Sequence, residues 1–344
     1  MTVRYVPFLR WKSGEKEALR NLSPTARLNV VPFFLLGADN FKDKKATKKS
    51  SSIPAPSVFA MEALGSWGTA PFFLDASPLP NDASGAHPLT NIASSVLSSG
   101  GQPIPATSLN ASPAYSAAVQ SVVHTQQLGV ALRVTLSEMT SAPSWLPSWP
   151  FPLPETDLIV DLADSAESVL ALGAAVNTAF ASLASAAVWR SVTLAGTSIP
   201  ENFSKLAAGN YTRPRFEAQL WSQVANSGLF YQLDYGDYAT VSTATPAPNI
   251  AWGYPITVKY TLVADYLICR GVKTTGVGSQ DMGPQLVKHA KFILGFAGRG
   301  RLATCWADDT IDKIAGGTQS PKALAHWVSL AVNRHIELVR SVLP

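Results

Sequence analysis

The chain opens with an apolar run followed by a segment of helical periodicity. Residues 5–9 are apolar, residues 10–12 are mostly polar, and Ala18, Leu19 and Leu22 then recur at helical spacing. A short run of aromatic and β-branched residues is typical of a buried strand, whereas an apolar period of three to four residues is typical of an amphipathic helix. The pattern predicts one βα unit with polar groups at the carboxyl end of its strand.

Similar apolar runs recur, each followed by a helical or polar segment. We predict strands over residues 5–10, 29–36, 70–75, 103–107, 129–134, 157–161, 188–194 and 229–234. Strands that are buried on both faces and separated by helices indicate a parallel sheet. Eight such units fit an α/β fold of the (β/α)8 TIM-barrel type. An open doubly wound sheet is the alternative, but no GxGxxG or GxxxxGK[ST] motif follows a predicted strand.

The pattern changes near residue 240. Residues 256–261 and 265–271 predict a hairpin, and residues 284–294 and 322–343 predict helices. We therefore predict a single domain, with a barrel over residues 1–240 and a C-terminal hairpin and helices over residues 241–344 that pack on it.

Composition narrows the choice of partners. The net charge is only +4, and part of the excess lies in one segment that contains Lys42, Lys44, Lys45, Lys48 and Lys49. The excess positive charge is therefore not spread along the whole chain, and a nucleic-acid partner receives only weak support. We predict that this segment, residues 38–56, is a mobile loop.

The sequence also indicates a cellular compartment. No apolar run reaches the ~20 residues that cross a bilayer, so we expect no membrane association. Cys269 and Cys305 form no CxxC motif, and two reduced core cysteines are typical of a cytoplasmic protein.

Charged residues at the carboxyl ends of the predicted strands are the candidate site, because active sites of (β/α)8 barrels lie there. The catalytic candidates are Asp75, Glu138, Asp161 and Asp234, and the ligand-binding candidates at these ends are Lys12, Glu15 and Arg133. Such a ring could hold a divalent metal ion through oxygen ligands, bind an anion, or pair a general acid with a base. Alternatively, these charges pair with each other and cap helices.

Two further features leave alternatives open. Trp145 and Trp149 lie in a proline-rich connection and either pack against the barrel or stack on a ring-shaped ligand. The five histidines are scattered and form no HxH or HExxH motif, so we assign no metal ligands.

Short motifs along the chain resemble a known family. The opening Tyr-x-Pro-x-Leu-x-x-Lys-x-Gly-Glu-x-x-Ala-Leu over residues 5–19 is followed by GVALR at 129–133, Tyr260-Thr261, Arg270-Gly271, Trp327 and Asn333-Arg334-His335. These segments resemble the beta protein family, which is named from a T-even bacteriophage protein and occurs in bacteria and prophages. The resemblance implies a setting of phage–host conflict. It also adds Arg270 to the ligand-binding candidates and raises interest in Arg334 and His335.

Two functional hypotheses follow. The first is a binding or effector component of antiphage defence or phage counter-defence, whose barrel mouth takes a protein partner or a small anionic ligand. The second is a metal-dependent hydrolase of phosphoesters that uses Asp75, Glu138, Asp161 and Asp234. We favour the first because the carboxylates have no recognised catalytic spacing.

Overall fold

The computed structural model describes residues 2–37, 56–186, 188–244 and 255–344. Its centre is a closed barrel of parallel strands. The barrel strands are β1 (Tyr5–Leu9), β2 (Phe33–Leu35), β3 (Pro71–Asp75), β4 (Gln102–Thr107), β5 (Val130–Val134), β6 (Thr156–Asp161), β7 (Ser191–Gly196) and β9 (Leu233–Asp237). The ring closes where β9 pairs with β1, with Tyr5 opposite Tyr235. The (β/α)8 prediction is confirmed, and the open-sheet alternative is wrong.

Helices alternate with the barrel strands and also make up much of the C-terminal region. The described helices are α1 (Ser13–Arg20), α2 (Pro24–Arg27), α3 (Pro56–Ser66), α4 (Leu89–Ser98), α5 (Pro113–Gln126), α6 (Leu136–Thr140), α7 (Ala142–Trp145), α8 (Ala166–Leu170), α9 (Gly173–Ala186), α10 (Phe216–Ala225), α11 (Met282–Gly295), α12 (Trp306–Ala315) and α13 (Leu324–Val342). None of these helices is long and apolar enough to cross a membrane.

Alternating side chains separate the barrel interior from the layer between barrel and helices. On β1, Val6 and Phe8 belong to the interior cluster, whereas Tyr5 and Leu9 belong to the outer cluster. The Phe8 ring stacks on Phe33, with centroids 4.4 Å apart. The barrel is therefore filled by side chains, and ligands have access at its ends rather than through it.

A small antiparallel sheet accompanies the barrel. It contains β8 (Gly209–Pro214), β10 (Thr257–Thr261) and β11 (Asp265–Arg270) in the order β10-β11-β8. The predicted hairpin is β10–β11. The sequence does not predict β8, because its residues are polar and at least partly exposed. This strand lies within the range assigned to the barrel but does not belong to it.

The last helix, α13, docks through three successive buried residues. Asn333 Nδ2 donates to carbonyl groups in and just after α1, at 3.1 and 3.0 Å. Arg334 forms an ion pair with Asp308 (3.1 Å), and His335 Nε2 lies 2.7 Å from Asp237 Oδ2 at the end of β9. Arg334 and His335 are thus docking residues, and α13 joins the first helix, the C-terminal helices and the barrel.

Some predicted boundaries require correction. The eighth barrel strand is Leu233–Asp237 rather than residues 229–234, and Phe230 is 96% exposed. The second strand is only Phe33–Leu35, with an isolated bridge between Tyr5 and Val30. The predicted mobile loop, residues 38–56, lies outside the described residues except for its last position.

Candidate functional site

Arg133 is the centre of a charged cluster at the barrel mouth, the end formed by the carboxyl ends of the barrel strands. Its Nε and Nη2 atoms lie 2.8 and 2.6 Å from Asp161 Oδ2. Nη2 also donates to the Tyr238 hydroxyl at 2.8 Å, and this hydroxyl donates to the same Asp161 oxygen at 2.6 Å. Asp75 Oδ2 lies 3.8 Å from Nη1. We call these four residues the Arg133 cluster.

A shared local turn positions the acidic residues. The Oδ1 atom of Asp161 accepts the backbone N–H of Ala163 at 2.9 Å, and Asp75 Oδ1 accepts that of Ser77 at the same distance. Asp237 makes the equivalent bond to Ala239. Such Asx turns end a strand and fix the carboxylate. In each case Oδ2 remains to face a cation or a histidine.

The electrostatics keep Arg133 charged and Tyr238 protonated. Burial alone would lower the pKa of Arg133, but Asp161, Tyr238 and Asp75 outweigh it, and the pKa is raised. Burial, reinforced by Asp161, raises the pKa of Tyr238 well above its usual value. The guanidinium also lies over the Phe8 ring, 5.7 Å from its centroid.

Exposure within the cluster is uneven. The Arg133 side chain is 31% exposed, whereas those of Asp75 and Asp161 are 12% and 5% exposed. A molecule that approaches the mouth therefore meets the guanidinium more readily than either carboxylate.

The first predicted pair, Lys12 and Glu15, lies at the start of α1. Glu15 Oε2 accepts the backbone N–H of Lys12 at 3.0 Å, so this carboxylate caps the helix. Burial raises the pKa of Glu15, and the hydrogen bonds from Lys12 and Arg10 oppose the rise. Glu15 is only 2% exposed, whereas Lys12 is exposed. Only Lys12 of this pair presents its side chain to solvent.

Glu138 also has a capping position. It is the third residue of α6, and its Oε2 accepts the backbone N–H of Thr135 at 2.8 Å, while Glu138 N donates to the Thr135 hydroxyl at 3.2 Å. Asn110 donates to its other oxygen at 3.0 Å. Glu138 thus completes a capping box near the rim, apart from the Arg133 cluster.

Asp234 lies at the opposite end of the barrel, which we call the barrel floor. Its Oδ2 accepts Arg4 Nε at 2.7 Å, and Arg4 also pairs with Asp157 at 3.1 Å. Arg190 donates to Asp157 from the other side, at 3.1 Å. The expected convergence of Asp234 with the mouth residues is wrong, because β9 starts at Leu233 and places Asp234 near its amino end.

Arg270 is the remaining ligand-binding candidate and lies in the small sheet. Its Nε donates to the Leu206 carbonyl at 2.8 Å, and Nη1 donates to Thr257 Oγ1 at 3.1 Å. These two contacts connect the β10–β11 hairpin to the loop before β8. Arg270 does not join the Arg133 cluster.

Three further residues lie at the mouth, and the apolar pattern of the sequence does not predict them. Tyr238 was missed because the last strand was placed too early. Lys259 Nζ donates to the Thr240 carbonyl, and burial together with nearby Arg10 lowers the pKa of this amine to about 8. Arg10 in turn donates to the Ala244 carbonyl at 2.6 Å. In the sequence, only the position of Arg10 directly after β1 could have indicated the site.

The two tryptophans lie on the flank of the barrel. Trp145 Nε1 donates to the Glu138 carbonyl at 2.8 Å, and Trp149 Nε1 donates at 3.1 Å to Thr156 Oγ1, at the amino end of β6. Both rings pack against a second apolar cluster in the layer between the barrel and the helices, which contains Leu132 and Val160. They do not seal the mouth.

The chemistry of the site is that of a fixed cation with hydrogen-bonding neighbours. Across residues 2–37, 56–186, 188–244 and 255–344, no group of three or more histidine, cysteine or acidic side chains is arranged to hold a metal ion. A guanidinium that is fixed in this way can form a charge-assisted hydrogen bond with an anion.

Comparison with known families gives one result. The family model described as Beta protein matches residues 5–340. Among curated proteins, no relative of the chain is detected. The match covers nearly the whole barrel and C-terminal region, so the chain belongs to the beta protein family.

Proposed function

We propose that this protein is a ligand-binding component of a phage–host conflict system, in antiphage defence or phage counter-defence. Its barrel mouth binds an anionic group, carried by a small molecule or by a protein partner. The family setting supports the biological context. Two buried free cysteines, Cys269 and Cys305, support a role in the reducing cytoplasm.

The observation that carries the proposal is the orientation of Arg133. Asp161 and Tyr238 hold the Nε and Nη2 edge, and Asp75 approaches Nη1 only to 3.8 Å. A carboxylate or phosphate that contacts Nη1 would replace this long contact with a charge-assisted hydrogen bond. The pre-set guanidinium loses little conformational freedom when it binds.

Other cations strengthen the potential at the mouth. Lys12 is exposed at the end of β1, and Lys259 and Arg10 lie beside the loop that follows β9. Because Glu15 is buried at the start of α1, its charge is less accessible than that of Lys12. This arrangement favours the approach of an anion.

The hydrolase hypothesis gains no support from the geometry. Asp75 and Asp161 compensate Arg133, Glu138 caps α6, and Asp234 lies at the barrel floor. The four proposed catalytic carboxylates therefore do not face one common space in which a metal ion and a phosphoester could meet.

The test compares Arg133→Gln with Arg190→Gln. The two arginines are matched, since Arg133 is 31% and Arg190 29% exposed and they pair with Asp161 and Asp157 at opposite ends of β6. Binding of inorganic phosphate and citrate is measured by calorimetry on the full chain. Loss of one charge-assisted contact, about 1.5–3 kcal/mol, should weaken binding roughly tenfold to a hundredfold in Arg133→Gln alone.

A phage assay tests the biological part. Cells that express the chain are challenged with a panel of phages, with and without a defence system that restricts them. We expect a change in plaque number with the wild type and with Arg190→Gln, but not with Arg133→Gln. Anion binding and plaque counts that Arg133→Gln leaves at wild-type values would refute the proposed role of the mouth.

A further inference from the structure

A cavity on the flank of the barrel is lined by residues that have no part in the proposed function. Its volume is about 270 Å³, and its wall comes from the end of β4, one face of α5 and residues 145–151. We call it the flank cavity. It shares no residue with the Arg133 cluster. Its volume is just below the ~300–1,000 Å³ typical of sites for drug-sized ligands, so it suits a single ring.

The aromatic part of the wall is held rigid. Trp145 and Trp149 use their indole N–H groups inside the protein, on the Glu138 carbonyl and on Thr156 Oγ1. Phe151 packs edge-on against Trp149, with centroids 5.2 Å apart. Because both N–H groups are occupied, the tryptophans can offer a ligand only carbon surface, which suits the C–H groups of a ring.

The polar part of the wall consists of hydroxyl groups and one amide. Ser116 and Gln120 lie one turn apart on α5, and Ser108 follows β4. Among the described residues, none hydrogen-bonds the side chains of these three. Thr107 and Ser148 add two further hydroxyls to the wall, which donate to backbone carbonyls inside the protein at 3.5 and 2.8 Å and can therefore only accept from a ligand. The side chains of Ser108, Ser116 and Gln120 are thus the donors that the wall offers a ligand.

The wall carries no formal charge at any residue that the described chain contributes. A charged ligand would lose its hydration on entering the cavity and would gain no opposite charge from the wall, which is costly in free energy. Hydroxyl groups both donate and accept, as do the hydroxyls of a sugar. The edges of a nucleobase present fixed donor and acceptor patterns, which are usually met by several arginine, asparagine, glutamine or acidic side chains, whereas among the described residues of this wall only Gln120 is of that kind. We propose that the flank cavity binds a neutral sugar unit.

The test uses the full chain and neutral probes, namely the methyl glycosides of glucose and mannose, and N-acetylglucosamine. Binding is followed by tryptophan fluorescence and by calorimetry, with glucuronate and adenosine as comparison ligands. We expect saturable binding of at least one neutral probe, and weaker binding of glucuronate and adenosine.

Gln120→Leu removes the amide from the wall and should weaken binding roughly tenfold, the effect of one hydrogen bond. Gln219→Leu is the matched control, since it changes an exposed helical glutamine on α10 outside this cavity. Both variants should melt at the wild-type temperature, because both side chains are exposed. The proposal is overturned if no neutral probe binds saturably, if Gln120→Leu binds like the wild type, or if adenosine binds more tightly than every sugar.

Discussion

Asp237→Asn should destabilise the fold strongly, because this carboxylate joins separate parts of the chain. Its Oδ1 accepts the Tyr5 hydroxyl at 2.7 Å and the Ala239 N–H at 2.9 Å. Its Oδ2 lies 2.7 Å from His335 Nε2 and 3.8 Å from Arg215 Nη2. Asparagine retains the shape but loses the charge and one acceptor oxygen.

The magnitude follows from burial, since Asp237 is 0% exposed. Removal of one partner from a buried ion pair costs about 3–5 kcal/mol, and we expect the lower end because the asparagine oxygen can still accept the hydrogen bonds from Tyr5 and Ala239. With an unfolding entropy of about 2.1 cal/mol/K per residue, a chain of 344 residues should lose about 4 °C in Tm for 3 kcal/mol.

The effect should also depend on pH. Burial alone would raise the pKa of Asp237, but His335, Arg215 and Tyr5 outweigh it and lower the pKa below its usual value. A lowered pKa stabilises the folded chain above the pKa of the unfolded carboxyl, about 3.9, and this contribution is lost as the pH falls further. The difference between wild type and variant should therefore shrink in acid.

Urea denaturation at a series of pH values and calorimetric melting measure both effects. Asp164→Asn is the matched control, because Asp164 is exposed in the turn after β6 and should change stability by less than about 0.5 kcal/mol. If Asp237→Asn unfolds like Asp164→Asn at neutral pH, or if the difference from wild type does not vary with pH, our reasoning about this junction is wrong.

Three further predictions concern groups outside this junction. Glu138→Ala should lose about 1 kcal/mol in urea denaturation, because it removes half of the capping box of α6. Burial raises the pKa of the Cys269 and Cys305 thiols to about 12, so Ellman's reagent should label them only after unfolding; rapid labelling of the folded chain would contradict this. The pKa of Lys259 is lowered to about 8. The unfolded chain then binds more protons between about pH 8 and pH 10, so stability should rise with pH there, and Lys259→Met should abolish the rise.

The architecture was predictable because most barrel strands are plain apolar runs. Residues 70–75 and 157–161 correspond to β3 and β6 within one residue. The last barrel strand was misplaced because Gly236 and two aspartates interrupt its apolar pattern. Glycine is required there by close packing, since a Cβ at Gly236 would lie 2.9 Å from the Cβ of Ala195. A single-sequence pattern does not show which strands approach so closely.

The residues of the candidate site could be predicted only where the carboxyl end of the strand was placed correctly. Asp75, Arg133 and Asp161 lie together because all three are at or next to the carboxyl ends of correctly placed strands. Asp234 was assigned to the wrong end by a shift of a few residues. Asp161 and Asp237 are each followed two positions later by an alanine with positive φ, in the same strand-ending turn, and the Asp-x-Ala spacing is the part of this similarity that the sequence carries.

The docking of α13 onto α1 has a consequence for the order in which the chain can fold during synthesis. Glu17 on α1 accepts the Ser329 hydroxyl at 2.6 Å, across a sequence separation of 312 residues. The apolar face of the first helix therefore lacks its native cover until the ribosome has made residues 324–342. Contacts between residues so far apart in sequence form slowly, and the uncovered apolar face of α1 favours association with other chains in the meantime. A nascent chain stalled before α13 should accordingly bind holdase chaperones, whereas the completed chain should release them.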